Sequence, residues 1–162
     1  ELLTKNNHGH STLTVDDKRH IVDGYALVEK HHYGRKPSVT FDLRPTFEGQ
    51  LKSAFRKFTR DRERSLLIED KIKPNETTKL VTWQFITQAD VEIVDGGAIL
   101  KQDGERLKLN KLSQPGIDFT VVSLDPPPHR LDKRIENLKR IELRIPARAA
   151  DKIHIKVQLT GK

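Results

Sequence analysis

Apolar and polar residues alternate along most of this chain with a period of two. Leu13 and Val15 alternate with Thr12 and Thr14, Phe41 and Leu43 flank Asp42, Val91 and Ile93 flank Glu92, and Leu107 and Leu109 flank Lys108. Ile141, Leu143 and Ile145 alternate with Glu142 and Arg144. The cleanest run is Ile153, Ile155, Val157 and Leu159, with His154, Lys156 and Gln158 between them. Side chains on a strand point alternately to its two faces. Each run therefore predicts one face on a core and the other in water, as in antiparallel sheets.

Turn chemistry punctuates the runs. Asp95-Gly96-Gly97 predicts a hairpin joining 90–94 to 98–101, and Gln102-Asp103-Gly104-Glu105 predicts the next. Lys73-Pro74-Asn75-Glu76 predicts a loop between 66–72 and 79–86. Pro126-Pro127-Pro128 marks an exposed connection, because proline cannot donate to a sheet ladder. Residues 129–138 fit either a short helix or a disordered loop. About ten to twelve strands at this spacing predict an all-β chain, an antiparallel β-sandwich.

At 162 residues the chain is expected to be one sandwich domain, 1–162. A hydrophobic content of 35% against 33% charged residues fits a two-layer fold with much solvated surface. There is no cysteine, which excludes disulfides and thiol chemistry. No apolar run approaches the roughly 18 residues of a membrane span, and the chain opens at Glu1 without Met or a signal peptide, as a mature or excised piece would. The net charge of +7 favours polyanionic partners. No helix-turn-helix, RNP-like motif or basic helix is present, so charge is the sole argument for nucleic acid, which is disfavoured.

Four stretches carry candidate chemistry. His8 and His10, two apart on a predicted strand, would share a side; they read either as exposed histidines or as two ligands of a metal such as zinc. His31-His32-Tyr33-Gly34-Arg35-Lys36-Pro37 reads as a solvated hairpin loop or as a sugar-contacting loop, with His32, Tyr33 and Arg35 as candidate ligands. The segment 52–64, KSAFRKFTRDRER, is the densest basic stretch. It reads as a solubilising edge strand or protruding hairpin, or as a binding face in which Arg56, Arg60 and Arg62 grip sulfate or carboxylate in bidentate fashion. Trp83, the single tryptophan, reads as core or as a sugar-stacking platform. Phosphate loops, nucleophile elbows and assignable carboxylate pairs are absent.

The stretch His8-Gly9-His10-Ser11-Thr12-Leu13-Thr14-Val15-Asp16-Asp17-Lys18-Arg19-His20, a strand running into a tight acidic turn, resembles a recurring segment of the heparinase II/III family of polysaccharide lyases. Ile21-Val22-Asp23-Gly24-Tyr25-Ala26 continues the resemblance. The chain departs from the family at Ser11 for asparagine, Asp17 for the turn glycine, and His20 for glutamine. Arg56 on one strand followed by Leu66-Leu67-Ile68-Glu69-Asp70 on the next, and Trp83 in the one after, are also family-like features.

The resemblance implies the C-terminal sandwich of a larger lyase that lacks here its N-terminal α/α toroid. It implies β-elimination on acidic, heparan sulfate-like polysaccharides, export to the periplasm or cell surface of a Gram-negative bacterium, and a homodimer. At the His10 position it implies a ligand of zinc or another divalent metal in the intact parent, with partners from an earlier strand outside this chain and no metal in the fragment alone. It carries over no catalytic residue: Tyr25, Tyr33, His8 and His20 are the available chemical types, and the fragment is expected to be inert alone. The alternative is an autonomous carbohydrate-binding module for sulfated or acidic glycans.

Overall fold

The cleanest alternating run in the sequence becomes the middle of the larger of two antiparallel sheets. The computed structural model describes residues 2–161. Eight strands form the larger sheet, in the order β2 (Leu27–His32), β3 (Ser38–Asp42), β4 (Leu51–Arg62), β5 (Ser65–Pro74), β12 (Ile153–Gly161), β9 (Glu105–Lys111), β8 (Gly97–Gln102) and β7 (Asp90–Val94). Four form the smaller sheet, in the order β1 (Leu13–Val15), β6 (Leu80–Thr87), β11 (Lys139–Pro146) and β10 (Thr120–Ser123). The all-β antiparallel sandwich and its strand number are as the alternation predicts.

The core lies between the sheets. Leu13, Val15, Val81, Trp83, Ile141, Leu143 and Ile145 from the smaller sheet meet Ala54, Ile68, Ile72, Leu109, Ile153, Ile155 and Val157 from the larger. Trp83 is buried to 1% exposure, with its ring 6.2 Å from Phe85 and 5.9 Å from Phe119. It is therefore core, and the sugar-platform alternative falls away.

Hairpin chemistry sets the register. Asp103 and Gly104 take positive φ (51° and 81°), the left-handed pair that a two-residue turn demands. Gly97 begins β8 because a β-carbon there would sit 2.2 Å from the Leu109 carbonyl oxygen. At the end of β1, Asp16 and Asp17 are both left-handed (φ 51° and 54°). Asp16 Oδ1 accepts from the backbone N–H groups of Lys79 and Leu80, which holds the turn against β6.

Three expectations are corrected. The segment 52–64 is not an edge strand: β4 pairs with β3 on one side and β5 on the other, and the edge is β2, every residue of which is exposed. His8 and His10 do not share a strand, because Asn7–Gly9 is a 3₁₀ turn and β1 starts only at Leu13. The outer face of the smaller sheet is not in water throughout. Residues 3–12 and the loop 124–138 cover it, burying Thr14, Gln84 and Glu142 and forming a second apolar cluster of Leu3, Leu124 and Leu138. Residues 129–138 are turns and bends with no helix.

Candidate functional site

The histidine-bearing end is built on a buried polar network. Asn7 donates from Nδ2 to the Thr14 hydroxyl (2.7 Å) and to the Lys18 carbonyl (3.1 Å). The Thr14 hydroxyl donates to Gln84 Oε1 (3.0 Å), and Gln84 Nε2 donates to the carbonyls of Asn7 and His10. Asn7, Thr14 and Gln84 are each at most 4% exposed. They fix residues 7–14 to β6 and so place His8 and His10.

His20 packs edge-on against Phe47, with ring centroids 4.7 Å apart, and its Nε2–H donates to the Leu13 carbonyl (2.8 Å). Burial pushes its pKa down, and the nearby His8 and His10 push the same way against the Leu13 bond. The neutral ring therefore carries its proton on Nε2 and leaves Nδ1 as its acceptor. His8 is also held below the ordinary histidine value, first by burial and then by Arg140, whose guanidinium donates to the His8 carbonyl (2.8 Å). Asp17 forms a bidentate pair with Arg144 (2.9 and 2.8 Å), which holds its carboxyl below the usual range.

These histidines set a pH dependence. Between the ordinary histidine pKa of about 6.5 and the lower values in the fold, the unfolded chain binds more protons than the folded one. Stability from His8 and His20 is thus complete above about pH 6.5 and is lost as pH falls below it. Asp17, titrating at more acid pH, does not contribute in that window. The urea midpoint is expected to fall from about pH 7.5 to about pH 5.5, and His20→Gln to flatten the slope. A midpoint that held or rose would mean that the rings are not kept neutral.

His10 and His20 line a cleft of about 410 Å³ with Lys5, Arg19, Asp23 and Thr46. Zinc takes three or four donors. Among the described residues no three His, Cys, Asp or Glu side chains stand together to hold a metal. His10 Nε2 lies 3.3 Å from the Thr4 carbonyl. The donors present do not make a zinc centre.

A second concavity, of about 480 Å³, opens at the exposed edge of the larger sheet. Val28, Val39, Phe58 and Leu66 form an apolar floor; His31, His32, Tyr33 and Arg60 stand around it. Register explains the grouping: Val39 lies opposite Phe58 and His31 opposite Val39, while Arg60 lies opposite Leu66 on the next pair. Tyr33 is 80% exposed and meets His31 edge-on at 5.1 Å.

Of the six expected sugar ligands the fold gathers His32, Tyr33 and Arg60 here. Arg35 sits in the β2–β3 turn and Arg62 ends β4, both exposed and outside the groove. Arg56 is withdrawn altogether: it is buried, donates to both oxygens of Asp70 (2.7 and 3.0 Å), and reaches the Ser11 carbonyl. It ties the sheets together and offers nothing to a ligand. Sequence reasoning passed over Phe58 and Leu66 as floor residues: Phe58 shares the parity of Arg60 along β4, whereas only the β4–β5 register brings Leu66 beside it.

No protein-family model matches the chain, and no curated protein matches it by sequence. In three dimensions it is similar to heparan sulfate lyase HepC from Pedobacter heparinus, at 16% identity and a TM-score of 0.70, over 94% of this chain and 24% of that one. It is similar to a heparinase III with methylated lysines at 15% identity and a TM-score of 0.68, over 98% of this chain and 24% of the other. A further heparinase III structure matches at 11% identity and a TM-score of 0.67, over 94% and 23%. The chain thus spans about a quarter of the length of these structures. In fold, the chain is a sandwich like that found within the heparinase III structures.

Proposed function

We propose that this chain is the sandwich domain of an exported polysaccharide lyase that cleaves heparan sulfate-like, uronic-acid glycans by β-elimination. It supports a catalytic N-terminal domain and forms one wall of the substrate cleft. The observation that carries this reading is the fold match over 94–98% of the chain to structures named as heparan sulfate lyase and heparinase III, of which it spans a quarter.

Surface chemistry agrees with it. A net charge of +7 attracts acidic glycan, and the β2–β4 groove combines an apolar floor, an exposed tyrosine and an arginine. Val22, Tyr25, Leu27 and Val28 are exposed by 51–82% in one stretch of chain, as a surface that meets another domain would be. In β-elimination a base removes the C5 proton beside the uronate carboxylate, the enolate-like charge is neutralised, and an acid protonates the leaving oxygen.

The groove also favours a second reading, an autonomous module for sulfated glycans. One assay separates the two. The gene product containing this chain, incubated with heparan sulfate, is expected to release unsaturated product absorbing in the ultraviolet, while residues 1–162 alone release none. No product from the longer protein would overturn the lyase reading, and sulfation-dependent binding by residues 1–162 would then establish the module. Product from residues 1–162 alone would overturn the supporting role.

A further inference from the structure

The outward-facing rows of β4, β5 and β12 carry an imbalance of charge that neither the groove nor the histidine cleft uses. Cross-strand register puts Phe55, Lys71 and His154 in one row and Lys57, Glu69 and Lys156 in the next, with Ser53 opposite Lys73. With Lys152 just before β12, five lysines share this face with two carboxylates: Glu69, which lies 3.5 Å from both Lys156 and His154, and Asp42, which lies opposite Phe55 and is already paired with Arg44. Lys71, Lys73 and Lys152 are exposed, and none makes an ion pair with a described residue. The three lysines without an ion pair leave this face with an excess of positive charge that attracts anions. Lys71 and Lys73 stand about 6.6 Å apart along β5, with neighbouring strands about 4.8 Å away. Lys71, Lys73 and Lys152 rim a groove of about 420 Å³ that includes Phe55 and His154.

We propose that this outer face is a second binding surface, separate from the β2–β4 groove, that holds the sulfate and carboxylate groups of an acidic glycan chain. The proposal rests on the glycan reading above. Nucleic acid fits less well, because Phe55, the aromatic of these rows, already has the Arg44 guanidinium 5.5 Å over its ring and gives bases no free stacking platform.

The test compares the chain with its Lys71→Gln/Lys73→Gln/Lys152→Gln variant, by calorimetry against long heparan sulfate fractions at physiological salt. The variant is expected to bind about tenfold more weakly and to keep the parent urea midpoint. Unchanged affinity overturns the proposal, as does an equal loss against duplex DNA, which would reduce the face to general charge attraction. Product release from short heparan sulfate oligosaccharides by the longer protein reports the lyase reading by itself. If that release is absent while the triple variant still loses glycan, the lyase reading fails and the surface stands.

Discussion

Arg56→Ala is expected to lower folding stability by about 3–5 kcal/mol. The guanidinium meets the Asp70 carboxylate in a two-bond fork, with side-chain exposures of 8% and 0%. Truncation leaves that carboxylate buried and charged, and in a low-dielectric interior no solvent replaces the lost partner. The Ser11 carbonyl loses its donor at the same time, which loosens the chain entering β1. In urea the midpoint should fall with little change in slope. In a thermal scan a chain of this size should melt about 6–20 °C lower. The double variant Arg56→Met/Asp70→Leu is expected to recover most of the loss, because it removes both charges and keeps the volume. A loss under about 1 kcal/mol for Arg56→Ala would mean that the pair is solvated. Glycan affinity measured where the variant is still folded should not change, which separates this arginine from Arg60.

How much of this was legible in the sequence depended on what covers each face. Ile153, Ile155 and Val157 alternate cleanly because β12 has one face on the core and the other in water. Asp103-Gly104 announced its hairpin because the left-handed backbone there restricts residue choice. Glu142 and Gln84 sit at positions that alternation assigns to water, yet both are buried. The pattern reports that a face is polar; it does not report that residues 3–12 fold back over it. Arg56 misled for a related reason. Arg56 shares parity with Phe58 and Arg60, and that row faces inward; the row's far end opens to solvent while its middle does not. The partner was in view, since Asp70 lies at the end of the apolar run 66–70, but only the β4–β5 register sets it opposite Arg56. The histidine segment resembled a strand in sequence, whereas Asn7 and Gln84 supply enough hydrogen bonds to hold it as a 3₁₀ turn instead.

Gln84→Leu tests that last point and is expected to cost about 2–4 kcal/mol. The substitution keeps the bulk of the side chain but removes the amide that donates to the Asn7 and His10 carbonyls and the oxygen that accepts from Thr14. The buried Thr14 O–H would lose its acceptor, at roughly 1–3 kcal/mol; the buried Asn7 carbonyl would keep only the His10 N–H, and the carbonyl of the exposed His10 can turn to water, so these two add less. Thr82→Val on the same strand is the control. The Thr82 hydroxyl is buried with no hydrogen-bond partner among the described residues, so its removal should be neutral or slightly stabilising. Hydrogen exchange locates the effect. The amides of His8, which donates to Asn6 Oδ1, and of His10, which donates to the Asn7 carbonyl, should lose protection in Gln84→Leu before those of β5 and β12 do. If the segment instead stayed protected and the loss spread evenly over both sheets, Gln84 would be a packing residue of the sandwich. The positioning of His8 and His10 would then have to come from Arg140 and the 3₁₀ turn alone.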